Sequence, residues 1–520
     1  MSEQQAEQVG AAYAIEGPAL ELGSVVVDGT PYPGARVRMP LLMLNRHGLV
    51  AGATGTGKTK TLQLIAEQLS AAGVPVFLAD IKGDVSGVAA PGADNERIRT
   101  RAEQTSTDWT ATAFPTELLS LGGLGTGTPV RATMTSFGPV LLSKVLGLNS
   151  TQESSLGLVF HFADKNGLPL LDLKDLRAVI HHLLSDEGKP ELKALGGLST
   201  ATAGVILREL IGLEDQGGDV FFGEPEFDTA DLIRLAPDGR GVLSVMGLAA
   251  VQDKPRLFST FLMWLLADLF SDLPEVGDVD KPKLVFFFDE AHLLFDDASE
   301  AFLDAIARTV RLIRSKGVGV FFVTQTPKDV PGEVLAQLGN RVQHALRAFT
   351  PDDAKALKAT VGTFPRSEVY DLTELLTSMG IGEAAVTILS ERGAPTPVAW
   401  TMLRPPSSSM SPLEPAAAAA LVAASPLAAD YAAPVDRESA YELLLARVAP
   451  EPARAEALAP QEVSYDEPER EGEREGAVAA VLGSSVFRSF ARSAASAAGR
   501  EISRSLFGTA PRRRRTTRRR

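Results

Sequence analysis

The eight residues GATGTGKT, at positions 52–59, leave this chain few choices of fold. They meet the spacing G-x-x-x-x-G-K-[ST] at Gly52, Gly57, Lys58 and Thr59, with Ala53, Thr54, Gly55 and Thr56 in between. Glycines at these places let backbone amides turn inward around phosphate oxygens, and a helix starting near Lys58 points its positive end at the same anion. Lys58 brings a mobile charge to the outer phosphates, and Thr59 a hydroxyl suited to magnesium. The motif works only between a strand and a helix. The apolar GLVAG precedes it, 58–72 has amphipathic helical spacing, and VPVFLAD then ends at Asp80. This is a βαβ unit, which predicts a parallel sheet and an α/β fold. A chance glycine-rich turn would lack that flanking pattern.

A second apolar run, KLVFFFDE, reads as a buried strand that carries Asp289 and Glu290 to its C-terminal end, the edge where ligands bind in parallel sheets. Asp289 is suited to holding magnesium through its water shell, and Glu290 to orienting and polarising an attacking water, which favours hydrolysis over transfer to a metabolite. Alone, such an acid pair can simply cap a helix; beside a P-loop it completes a nucleotide site. A third buried strand, VGVFFVTQ, ends at Gln325, whose amide can sense a terminal phosphate or serve as a turn residue before Pro327.

The rest of the chain divides by composition. Residues 1–37 alternate apolar and polar and read as a short N-terminal β region. The ATPase core is expected in two parts, 38–120 and 241–403, around a largely helical insertion at 121–240 that contains LKDLRAVIHHLL and ATAGVILRELIGL. Within the second part, helices are expected at 256–270 and 298–315. Residues 404–475 are Pro/Ala/Ser-rich and then acidic, which predicts a disordered linker with one short helix at 436–448 capped by Asp436. The last segment, 476–520, reads as a helix of small residues and arginines followed by RRRRTTRRR.

Charge and composition narrow the function classes. From Arg488 onward eleven arginines face the single acid Glu501, whereas the whole chain carries a formal charge of −14. An acidic body with a basic tail excludes a uniformly basic nucleic-acid surface and leaves room for a local one. The tail suits contact with nucleic acid phosphates, an amphipathic helix on a membrane surface, or docking on an acidic neighbour; its small residues favour an assembly helix, with the terminal arginines as an anionic contact. There are no cysteines, so disulfides and thiolate metal sites are excluded, and the six histidines show no metal-ligand spacing. No stretch has the length of a membrane span and the N-terminus lacks a signal pattern, which predicts a cytoplasmic protein without integral membrane association.

The segments RHGLVAGATGTGKT, VFLADIKGD, VFFFDEAH, RTVRLIRSKGVGVFFVTQTP and NRVQHALRA occur in this order and together resemble the HerA/FtsK group of P-loop ATPases, nearest a bacterial HerA-like branch. The resemblance implies a RecA-like core assembled as a ring, commonly a homo-hexamer, with ATP and Mg2+ bound between subunits. Members of the group pump double-stranded DNA or drive a partner nuclease. Lys58, Thr59, Asp289, Glu290 and Gln325 fall on the group's phosphate, magnesium, hydrolytic and sensing positions. Arg311 and Arg314 fall on an R-x-x-R from which a subunit supplies an arginine to its neighbour's nucleotide; a solvated helix face is the other reading, and Arg347 a competitor. Asp80 and Asp84 match acids after the second strand, with Asp84 expected to hold the loop. The chain departs from the group in its short N-terminal region and in the long gap between Lys58 and Asp289. The function implied is an ATPase ring that drives DNA translocation or processing. The alternative is an ATP-switched scaffold that recruits a protein partner or other effector.

Overall fold

The computed structural model describes residues 2–277, 279–295 and 300–448. It divides into two compact units: Met1–Pro129, Thr229–Phe258 and Asp268–Ala428 form the first, and Val130–Asp228, Ser259–Ala267 and the described residues from Ala429 form the second.

The first unit is built on a twelve-stranded sheet. In chain order its strands are β1 (Ala19–Val27), β2 (Thr30–Pro40), β3 (Gly48–Ala51), β4 (Val76–Asp80), β5 (Thr116–Leu121), β6 (Thr128–Val130), β7 (Leu243–Gly247), β8 (Leu284–Phe288), β9 (Val318–Thr324), β10 (Asn340–Gln343), β11 (Glu383–Thr387) and β12 (Ala399–Leu403). Their spatial order is β2-β1-β12-β11-β10-β3-β9-β8-β4-β7-β5-β6. From β10 to β5 every pairing is parallel, and from β2 to β10 every pairing is antiparallel. The parallel strands are continuous apolar runs because both of their faces are covered; every residue of β4, β8 and β9 is buried. One buried cluster joins Leu78, Val285, Phe287 and Val323 of the sheet to Leu62, Ile65 and Leu69 of the helix Lys58–Ala71. Phe287 stacks on Phe321 and Phe288 on Phe322, with centroids 5.1 and 5.7 Å apart. Each such ring contributes about 1.5–3 kcal/mol relative to exposure.

The N-terminal region is not a separate β module. A helix, Ser2–Ala11, precedes the β1–β2 hairpin, and β1 pairs with β12 so that the hairpin extends the main sheet. The Tyr13 hydroxyl donates to Val386 O at 2.8 Å, tying this region to β11. Gly23 lies where a side chain would meet Met402 O at 1.9 Å, so only glycine lets β1 approach β12 there.

Part of the segment expected to be a disordered linker is ordered. After β12 the chain runs as a strap over the helix Lys58–Ala71: Glu67 accepts from Ser407 N at 2.7 Å and Ser408 N at 3.0 Å, and Lys60 Nζ donates to Met410 O at 2.6 Å. A helix follows at Pro415–Ala423. Backbone polar groups of a Pro/Ser-rich segment are met here by side chains of another element, a pairing that composition alone does not reveal.

The second unit is mainly helical. Its longer helices are Met134–Val145, Ser150–Lys165, Leu173–Leu184 and Thr200–Asp215, and all four begin at side-chain caps: Asn149 and Asp172 in capping boxes, and Thr133 and Ser199. The helix expected at 436–448 begins at Ala440 rather than at an Asp436 cap. Its start is held by Asp175, which accepts from Tyr441 N at 2.9 Å. No described helix is long and apolar enough to cross a membrane. The acidic stretch, the expected C-terminal helix and the arginine tail lie outside the described residues.

Candidate nucleotide site

Strand register brings the sequence motifs to one edge of the sheet. Ala51 lies opposite Thr324, and Phe288 opposite Phe322, so the residues following β3, β9 and β8 leave the sheet side by side. β9 is inserted between β3 and β8, which puts Gln325, exposed just past β9, between the P-loop and the acid pair.

The loop 52–57 is shaped by glycines in left-handed or extended conformations: φ is 154° at Gly52, 80° at Gly55 and 114° at Gly57. Lys58, 6% exposed, folds back so that its ammonium donates to Gly52 O at 2.7 Å and to Ala53 O at 3.3 Å. Burial lowers its pKa, against the opposing pull of Glu290 and Asp289. Thr56 Oγ1 donates to Ala53 O at 2.7 Å, Thr54 and Gly55 are exposed, and Thr59 is half-buried at the start of the helix. The loop rests on two supports. His344, next after β10, donates its backbone N–H to Ala51 O at 2.7 Å and sets Nε2 2.8 Å from Thr61 Oγ1. A side chain at Gly52 would fall 2.4 Å from the Cβ of His344, so this close approach requires glycine. Burial lowers the His344 pKa to about 4, which keeps the ring neutral under the loop. The second support is the turn at Gly382, whose N–H donates to Thr56 O at 3.0 Å.

The acid pair is anchored from both sides: Asp289 N donates to Ala79 O at 3.3 Å and Ala291 N to Val323 O at 2.9 Å. Between them Glu290 adopts φ 47°, a left-handed conformation that a carboxylate residue holds only under local constraint. Asp289 accepts from Glu290 N at 3.0 Å through Oδ1, while its buried Oδ2 has no hydrogen-bond partner. Burial, then the neighbouring Glu290, pushes the Asp289 carboxyl up to about 7. Glu290 forms an ion pair with Lys82 through Oε1, and His292 Nδ1 lies 3.3 Å from its Oε2.

The loop after β4 is held by Asp80, not by Asp84. Asp80 accepts from Gly83 N at 2.7 Å, Asp84 N at 3.2 Å and Val85 N at 3.0 Å, whereas Asp84 leaves a buried Oδ1 without a partner. The arginines stand elsewhere. Arg311 is exposed on the helix Glu300–Ile313, and Arg314 is half-buried in the turn that leads into β9. They therefore lie at the opposite end of β9 from Gln325, about 20 Å away for a seven-residue strand. Arg347 is exposed beyond β10.

Three residues of the site carried no sequence assignment: Lys82, His344 and His292. All three sit inside the segments that carry the family resemblance, and Lys82 and His292 also lie two residues from Asp80 and Glu290, so proximity to an acid at a strand end is the signal for those two. His344 had none.

As to a divalent ion, no group of three or more His, Asp or Glu among the described residues is placed to hold one. The site instead offers one hydroxyl, Thr59, and the carboxylate of Asp289, whose buried Oδ2 is unmet; Asp84 and Glu290 each keep one such oxygen as well. That donor set fits magnesium, which takes one or two protein ligands and completes its shell with water and phosphate oxygens.

The profile of a family described as "Helicase HerA-like C-terminal" matches residues 27–515. Among solved structures, the plasmid coupling protein TrwB in complex with the non-hydrolysable GTP analogue GDPNP is 16% identical, with 79% of this chain and 94% of that chain covered and a TM-score of 0.49. TrwB in complex with ADP and Mg2+ is 17% identical, with coverage of 77% and 94% and a TM-score of 0.47. VirB4 of Thermoanaerobacter pseudethanolicus is 15% identical, with coverage of 75% and 97% and a TM-score of 0.47. A comparison with curated proteins found no match.

Proposed function

Since the chain belongs to the helicase HerA-like C-terminal family, we propose that it is a cytoplasmic, ring-forming ATPase that hydrolyses ATP to drive the translocation or processing of duplex DNA, with or without an effector protein. The observation that carries this reading is the meeting of Lys58, Asp289 and Glu290 at one sheet edge, with Gln325 delivered between the P-loop and the acid pair.

In this reading the amides of 52–57 and the N-terminus of the helix Lys58–Ala71 cradle the phosphates. Lys58 exchanges its two loop carbonyls for outer phosphate oxygens. Thr59 and Asp289 hold magnesium, which when bound neutralises charge on the phosphate oxygens. Glu290 orients a water in line with the terminal phosphorus and accepts its proton; Gln325 contacts the terminal phosphate. Arg311 and Arg314 are too far along β9 to reach the nucleotide of their own subunit, so any role in hydrolysis is in trans, at a neighbour's site, which is the reason to propose a ring.

The test is ATP turnover with and without duplex DNA, measured beside the mass of the assembly. A homo-hexamer whose turnover rises with duplex DNA is expected. A ring whose turnover ignores DNA of every kind would remove DNA as the substrate and leave the ATPase; a monomer with full turnover would remove the ring.

A further inference from the structure

Glu290, the residue assigned to activate water, is engaged at one of its two carboxylate oxygens as the structure stands. Its Oε1 is held by the Lys82 ammonium, which must move aside before that oxygen can meet a water, while its buried Oε2 has no hydrogen-bond partner. The two partners differ in mobility. Glu290 is 7% exposed and fixed by its left-handed backbone between β4 and β9, whereas the Lys82 side chain is 42% exposed. Only the lysine can leave. Its own backbone is held in place, because the next three residues, Gly83, Asp84 and Val85, all donate to Asp80. Lys82 is thus a long flexible arm on a pinned loop, beside the acid pair and within electrostatic reach of Lys58. Burial works against its charge, but contact with Glu290 and the nearby Asp289 and Asp84 prevails and raises its pKa, so it is an ammonium throughout the working range.

We propose that Lys82 is a latch on Glu290 that the terminal phosphate of ATP releases. The inference rests on the nucleotide site assigned above. The terminal phosphate carries more negative charge than a carboxylate and offers more acceptor oxygens, so it draws the Lys82 ammonium across. The freed Glu290 then accepts a proton from water as the water oxygen bonds to the terminal phosphorus and the bridging P–O bond breaks, giving ADP and phosphate. ADP lacks this third phosphate and leaves the latch closed. Lys82 would therefore distinguish ATP from ADP and keep Glu290 idle until the substrate is complete.

The test is calorimetric titration of the full chain with the non-hydrolysable analogue AMP-PNP and with ADP, both with magnesium. Wild type is compared with Lys82→Met, Lys82→Arg, Glu290→Gln and the Lys82→Met/Glu290→Gln pair. Lys82→Met should lower the AMP-PNP to ADP affinity ratio by about tenfold, the size of one charge-assisted contact, while ADP binding persists and reports an intact fold. Lys82→Arg, which keeps the cation, should retain most of the ratio. Glu290→Gln removes the lysine's competing partner and should tighten AMP-PNP several-fold without tightening ADP, a gain that must vanish in the double variant. An unchanged ratio in Lys82→Met overturns the latch, as does a Glu290→Gln gain that survives without Lys82. Equal loss of both nucleotides in Lys82→Met would make the lysine a structural partner and overturns it too. A wild type that binds neither nucleotide brings down the site itself, a result distinct from all of these.

Discussion

Two buried carboxylates in the same unit meet the same physical cost in opposite ways. Glu67, in the helix that follows the P-loop, and Asp289, at the end of β8, are both pushed above the usual carboxylate range, in each case chiefly by burial. Glu67 is surrounded by donors: Ser407 N, Ser408 N, the Ser408 hydroxyl and Gln63. Asp289 receives one backbone N–H and keeps a buried oxygen with no partner. A raised pKa therefore does not separate a fastening from a site. The state of the remaining lone pairs does, because a satisfied carboxylate has nothing left to offer a ligand.

The contrast can be broken or sharpened by substitution. Lys58→Ala should reduce ATP turnover to background by removing the main side-chain charge at the phosphates; near-normal turnover would dissolve the site half of the contrast altogether. Arg311→Ala or Arg314→Ala touches neither carboxylate. A loss of about 3–5 orders of magnitude in turnover, with ATP binding and folding intact, would show that the site is completed from outside the subunit. Full activity in both variants would make them surface charges and turn attention to Arg347. Glu290→Gln should keep nucleotide binding while single-turnover hydrolysis falls about 10²–10⁴-fold, the usual worth of a general base. If affinity fell as far as in Lys58→Ala, Glu290 would be a binding group instead.

The smaller effects are on stability. Glu67→Ala leaves the donors of the strap without an acceptor, and should cost about 1–3 kcal/mol in denaturant unfolding with turnover per folded molecule preserved. Asp289→Asn should do the reverse, abolishing turnover yet raising stability in divalent-free buffer at pH 8 by about 1 kcal/mol, since it removes an unmet buried charge. The pH dependence follows the same sign. The folded carboxyl titrates near 7 and the unfolded one near 3.8, so the folded state takes up a proton between these values. The stability this contributes is complete below about 4 and is lost as the pH rises through about 7. Asp289→Asn should lack that slope, and a melting profile with the wild-type slope would show that Asp289 is not its source.

The site was legible where the chemistry is written locally. The spacing from Gly52 to Thr59, and an acid pair directly after LVFFF, need no tertiary information, because a loop cradle and a strand end are each formed by consecutive residues. What escaped notice was what the fold brings from far away. Glu67 reads as one more charge on an amphipathic helix until a Pro/Ser-rich segment more than three hundred residues later closes over it. His344 is a lone histidine until β10 sets it beneath Gly52. Lys82 looks like a solvated loop charge until β4 and β8 pair and turn it toward Glu290. The helix Ser2–Ala11 was missed for a different reason. It buries only Ala6 and Val9, too sparse a stripe to register as a helical period.

One strand ties the far side of the unit to this edge. β9 has Arg314 in the turn before it and Gln325 just after it; it pairs with β3 over Phe321–Thr324 on one flank and with β8 over Val318–Phe322 on the other. Such a strand does not stretch, so it behaves as a connecting rod. A push on the arginine turn would be passed along β9 toward Gln325, and would bear on the strand that carries the phosphate loop and on the strand that carries the acids. If Gln325 contacts the terminal phosphate as proposed, a neighbour that grips that turn would act on a site it never touches.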